Sequence, residues 1–100
     1  MSKILYFITD MDLTGIKLAL EHKDNEVGIA LLQDAVYFGC EGKKGNGTLA
    51  EAIEQGISVF ATEKDVKLRG ITKLIRPEIR VVDYGKMIDL VMSYEKIINI

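Results

Sequence analysis

The chain has no tryptophan and only one proline, one cysteine and one histidine in 100 residues. A single cysteine forms no internal disulfide, so the fold must stand without one, and a reducing cytoplasmic setting is expected. A single histidine, His22, with no cysteine or paired carboxylate at ligand spacing, offers no metal set, and no cofactor motif is complete. No apolar run approaches the ~20 residues a membrane span needs. The run from Ile4 to Ile8 has Lys3 before it and Asp10 close behind, and reads as a strand and not as a signal peptide. The net charge is −2, which gives no global basic field for nucleic acid. Scarce proline beside 48% hydrophobic residues excludes disorder and low complexity. No internal repeat is visible.

What is present is one small domain's worth of alternating strand and helix signals over residues 1–100. Lys3 to Thr9 is a short apolar run of β-branched and aromatic types, a buried strand. Leu13, Ile16 and Leu20 then share a helical face. Glu26 to Leu32 is a second strand, followed by a turn or helix from Asp34, a good N-cap, to Cys40. Glu41 to Gly47 holds three glycines and reads as a loop. Thr48 to Glu51 forms a capping box that starts a helix ending at Gly56. Ile57 to Ala61 is a third strand, and Thr62 to Asp65 a second capping box. Glu78 to Asp83 is a fourth strand. Met87, Leu90, Val91 and Tyr94 mark a longer helix, and the chain closes on a strand-like Lys96 to Ile100. Four strand–helix alternations predict an α/β fold: a single-layer, mostly parallel sheet of 4–5 strands with helices on both faces.

The junction Gln33-Asp34 draws attention, because ligands of such sheets bind outside the carboxyl ends of the strands. Asp10, Gln33, Asp34 and Thr62 all follow strands and form a candidate binding corner. Capping roles explain Asp10, Asp34 and Thr62 more simply. Cys40 is the one candidate nucleophile. Lys43 and Lys44 would favour its thiolate, while Glu41 and a helix C-terminal position oppose it, and packing as a small apolar residue is the plainer reading. His22 reads as a solvated residue near a helix end. Gly42, Gly45 and Gly47 resemble a phosphate-binding turn only weakly, for the Walker ending is missing. Lys64, Lys67, Arg69, Lys73, Arg76 and Arg80 make a local positive patch, more simply a solvated face, with no RNA-binding motif beside it.

Leu31-Leu32-Gln33-Asp34-Ala35-Val36-Tyr37 resembles the L-L-Q-D/N-G-V-Y segment of the DsrE/DsrF/DsrH-like sulfur-relay family, closest to the DsrH/TusB branch. Val59-Phe60-Ala61 through Lys67-Leu68-Arg69-Gly70-Ile71 is similar to the family's strand, helix and A-R-G turn. Val81-Val82-Asp83-Tyr84 through Ile88-Asp89-Leu90 resembles its I-D-Y ending. The likeness runs over roughly residues 26–100.

The resemblance implies a small α/β subunit that assembles with DsrE- or DsrF-like subunits or with itself. It also implies passage of persulfide sulfur toward tRNA wobble-uridine 2-thiolation or in sulfur oxidation. In the DsrE-type carriers a cysteine starts the helix after the third strand, a position that falls at Thr62 or its neighbour, where this chain has none. Met11 to Glu21, where some DsrH-type members carry a cysteine, also lacks one, and Ala35 replaces the family's glycine. The expectation is therefore an accessory, non-catalytic subunit, without membrane or direct nucleic-acid binding. Two alternatives stay open: a homo-oligomeric small-ligand or anion-binding module on the same scaffold, and a stand-alone sulfurtransferase using Cys40.

Overall fold

β1, Lys3–Ile8, sits beside the middle of the sheet and is buried on both sides. Its alternation sends Ile4, Tyr6 and Ile8 to one face and Leu5 and Phe7 to the other. The computed structural model describes residues 3–22, 26–42 and 46–99. Within them β2 (Glu26–Leu31), β3 (Ser58–Thr62), β4 (Arg80–Val82) and β5 (Lys96–Asn99) join β1 in one sheet of order β4-β3-β2-β1-β5. Every pairing is parallel. The expected α/β class with helices on both faces holds.

The strand order explains where the helices lie. The connections from β1 to β4 step steadily across the sheet, so right-handed crossovers place α1 (Thr14–Glu21), α2 (Asn46–Glu54) and α3 (Glu63–Leu68) on one face. The last connection steps back past three strands to β5. It therefore carries α4 (Tyr84–Ser93) to the opposite face. The larger core joins Ile4, Ile8, Val27, Ile29 and Leu31 to Ile16, Phe38, Leu49 and Val66. The smaller core joins Leu5, Ala30, Phe60 and Val82 to Met87 of α4. Strand β2 shows α4 only Gly28 and Ala30. The Tyr94 ring fills the space over Gly28, and a Cβ there would meet its Cζ at 2.8 Å.

Several local expectations change. The segment after β2 is a 3₁₀ turn, Gln33–Gly39, and Asp34 does not cap it. Helix α2 starts at Asn46, two residues before the expected Thr48 cap. Asn46 is buried and anchors that start: its Nδ2 donates to the Phe38 carbonyl at 3.0 Å, and its Oδ1 accepts from Arg76 Nη1 at 3.1 Å. Of the glycine pattern, Gly45 lies outside the described residues, and Gly47 belongs to α2. Strand β4 is shorter than Glu78–Asp83, because the Ile79 N–H closes a turn onto the Arg76 carbonyl across Pro77. His22 is half-buried and hydrogen-bonds through Nδ1 to the buried Tyr6 hydroxyl, so it is a partner of the core and not a solvated residue.

Candidate functional site at the carboxyl ends of the strands

The strand register aligns the exits from the sheet. Ile8 pairs with Leu31, Leu31 with Ala61, and Thr62 with Val82. The chain beyond each strand therefore emerges at one edge. Leu32 continues the line by donating its N–H to the Ile8 carbonyl at 2.9 Å. Gln33 then turns with φ +53°, a left-handed conformation that costs a non-glycine residue about 1–2 kcal/mol.

Asp65, in the first turn of α3, holds that turn in place. Its Oδ2 accepts from the Gln33 N–H at 2.9 Å and from the Thr62 hydroxyl at 2.5 Å. Its Oδ1 accepts from Arg69 Nη1 at 3.3 Å, one helical turn on. Arg69 reaches on to Asp34, with Nη2 2.9 Å from Oδ1. Burial pushes the Asp65 carboxyl up. The Thr62 hydroxyl, the Gln33 N–H and the Arg69 guanidinium outweigh it and hold the group below the usual carboxylate range. Thr62 occupies the N-cap position of α3, yet its hydroxyl donates to Asp65 and caps no backbone N–H. The expected box is thus a side-chain pair.

Beside this corner, on the α4 face, runs an apolar groove of about 380 Å³. Phe7, Leu32, Val82 and Met87 lie against the sheet. Tyr84, Ile88, Val91 and Met92 form the α4 wall, and Thr62 to Asp65 form the other. An open cleft at the carboxyl edge of a parallel sheet, apolar inside and polar at one rim, is the usual form of a binding site in such folds.

Three of the four predicted corner residues, Gln33, Asp34 and Thr62, are brought together, through Asp65 and Arg69. Asp10 is used in its own turn, where Oδ1 accepts from the Asp12 N–H at 3.1 Å. Cys40 is elsewhere. It is fully buried, and it pairs with Ile75 in an antiparallel bridge. The flanking bonds, Arg76 N–H to Gly39 carbonyl at 2.9 Å and Glu41 N–H to Leu74 carbonyl at 3.1 Å, tie the two segments together on either side of it. A reagent or partner can reach that sulfur only if the fold opens locally. Among the described residues no cluster of His, Cys, Asp or Glu could hold a metal ion. No helix among them is long and apolar enough to cross a membrane.

The positive patch is broken up by ion pairs. Arg69 meets Asp34 and Asp65, Lys67 meets Glu63, and Arg76 meets Glu78. Asp65 and Arg69 are the two site residues that sequence reasoning missed as a pair. Their i, i+4 spacing, with Thr62 three residues before Asp65, was the available signal. The partner across the sheet, Gln33, lies 32 residues from Asp65 in sequence and left no such signal.

Comparison with known proteins adds to this geometry. The family model described as DsrH like protein matches residues 9–97. A TusB protein of Photorhabdus laumondii is 28% identical over 68 residues, which is 68% of each chain. A TusB protein of Buchnera aphidicola is 25% identical over 83 residues, covering 83% of this chain and 84% of that one. The crystal structure of the YchN protein of E. coli superposes over the whole of both chains with a TM-score of 0.83 at 18% identity, a likeness of fold.

Proposed function

This chain belongs to the DsrH-like family, and on that premise we propose that it is an accessory subunit of a cytoplasmic sulfur-relay assembly, offering a preorganised surface and no sulfur-carrying thiol. The observation that carries the reading is the contrast between the two ends of the chemistry. The corner at the strand ends is ordered, strained and open, yet its residues hold no thiol. The only thiol, on Cys40, is fully buried in the larger core, where segments 39–41 and 74–76 pair. Persulfide transfer needs a thiolate that can reach a second sulfur, so access decides before acidity does. Relatives named TusB favour a relay serving tRNA wobble-uridine 2-thiolation, with DsrE- or DsrF-like subunits as the partners that bear the reactive cysteines.

The test is affinity purification of the tagged chain from its own host, followed by mass spectrometry of the chain after exposure to a persulfide donor. The proposal expects a DsrE- or DsrF-like protein to copurify and expects no added sulfur on the folded chain. Absence of any such partner would overturn the subunit reading. A gain of one sulfur that disappears in Cys40→Ser would make the chain a carrier.

A further inference from the structure

We propose that the groove beside α4 binds a single-chain amphiphile, a straight alkyl carboxylate with its head at Lys64 and its tail toward Phe7 and Met92. This goes beyond the sulfur-relay reading and does not depend on it. The strand order fixes the direction of the groove. Val82 ends β4, Thr62 ends β3, Leu32 follows β2 and Phe7 lies near the end of β1, so the lining crosses four neighbouring strands. Three strand spacings span about 14 Å. Helix α4 gives a second measure. Tyr84 and Met92 line the same groove, and the helix rises about 12 Å between them. An extended chain advances about 1.2 Å per backbone bond, so either length holds about ten carbons. The volume of about 380 Å³ lies at the small end of the range for ligand pockets, roughly 300–1,000 Å³, and suits one such chain.

The two ends of the groove differ in chemistry. Helix α4 leaves β4 and crosses the sheet toward β5, so Tyr84 stands at the β4 end and Met92 toward β1. At the far end Phe7, Leu32 and Met92 present no polar side-chain donor. The polar rim lies at the β3–β4 end, and most of its groups are already engaged. The Thr62 hydroxyl donates to Asp65, Asp65 pairs with Arg69, and Glu63 pairs with Lys67 at 3.4 Å. Lys64 also lines the groove and, among the described residues, joins no ion pair. The acids beside it are matched, so the rim presents one unmatched positive charge. Tyr84, 81% exposed, stands at the same end and offers a hydroxyl donor. A lysine in this position lays its alkyl stem along apolar surface and keeps its ammonium in water, where a carboxylate can meet it. An apolar trough with one cation at one end is complementary to an alkyl chain with one anionic head.

This arrangement makes affinity depend on chain length in a defined way. Each methylene buried in the groove tightens binding about four-fold. The gain stops once the chain outgrows the trough, at about ten carbons. A featureless greasy surface would show no such stop. The head contributes less, because an ion pair open to water is worth about two- to five-fold.

Methyl NMR titration of the full chain with octanoate, decanoate and dodecanoate, each below its micelle concentration, tests this. The signals of Val82, Ile88 and Met92 are expected to shift together in a saturable, one-to-one manner. Decanoate is expected to bind about sixteen-fold more tightly than octanoate, and dodecanoate within about two-fold of decanoate. Lys64→Gln should weaken octanoate and decanoate alike, by about two- to five-fold. Met92→Glu, at a position 80% exposed and therefore tolerant of charge, should weaken decanoate more than octanoate, because only the longer tail reaches it. Far-UV circular dichroism checks that both variants fold, and either one that folds decides its own end of the groove. No saturable shift at millimolar decanoate would overturn the proposal. So would affinity that keeps climbing four-fold per carbon through dodecanoate, or decylammonium binding as tightly as decanoate, which would assign the groove to another class of ligand.

Discussion

Replacing Asp65 with alanine should destabilise the protein far more than an ordinary partly exposed acid would. The side chain is 20% exposed and accepts from a backbone N–H, a hydroxyl and a guanidinium. Two bonds to a carboxylate, from Gln33 and Thr62, at about 1.5 kcal/mol each, set the loss near 3 kcal/mol. For a domain of this size that is a fall in Tm of roughly 15 °C. The loss should depend on pH in a defined sense. The folded carboxyl lies below its ordinary range, so its contribution is complete above the unfolded value of about 3.9 and disappears as pH falls through the folded value. Denaturant melts of wild type and Asp65→Ala should therefore differ by a constant amount from neutral pH to about pH 5 and converge in stronger acid.

Gln33 supplies a second arm. Glycine relieves the left-handed strain of about 1–2 kcal/mol but adds about 0.5–1 kcal/mol of chain entropy, so Gln33→Gly should be slightly stabilising. In that background Asp65→Ala should cost up to about 1–2 kcal/mol more, because loss of the clamp no longer lets a strained turn relax. A cost below about 1 kcal/mol at neutral pH that is undiminished in acid, or a cost that falls in the Gln33→Gly background, would refute the clamp.

Other positions give independent checks. Gly28→Ala places a methyl group against the Tyr94 ring and should cost about 1–3 kcal/mol in urea melts, with part of it recovered in Gly28→Ala/Tyr94→Leu. Asn46→Ala strips the Phe38 carbonyl and Arg76 of a buried partner, and the same melts should show a loss of about 1–3 kcal/mol. Iodoacetamide should alkylate Cys40 slowly in the native protein and at the rate of a free thiol in denaturant, as followed by intact mass. Native and denatured rates within a factor of about two would place the sulfur at the surface.

The fold was legible where one face of an element dictates its residues. The short apolar run Lys3 to Thr9 favours a buried strand, and Met87, Leu90 and Val91 share one side of a helix that ends just before Tyr94. Capping was read less well, because Ser, Thr, Asn and Asp satisfy backbone or side-chain partners with similar ease. Thr62 and Asp65 bond each other, Asp34 turns to Arg69, and Asn46 starts α2 from within the core. Strand ends alone single out Gln33, Asp34 and Thr62 as a candidate corner, and those three residues do meet through Asp65 and Arg69. The bonds that tie the corner together join residues more than thirty apart, and such pairs carry no local pattern. The partner of His22 is hidden in the same way, since the Tyr6 hydroxyl that engages it comes from β1, sixteen residues earlier.

The most direct test of the account is the level of 2-thiouridine in tRNA from a strain deleted for this chain and complemented with wild type or Cys40→Ala at matched expression. The account predicts that deletion abolishes thiolation and that both proteins restore it equally, since the chain acts through its surfaces. Thiolation that survives the deletion would remove the chain from the relay. Restoration by wild type alone would put the sulfur on Cys40.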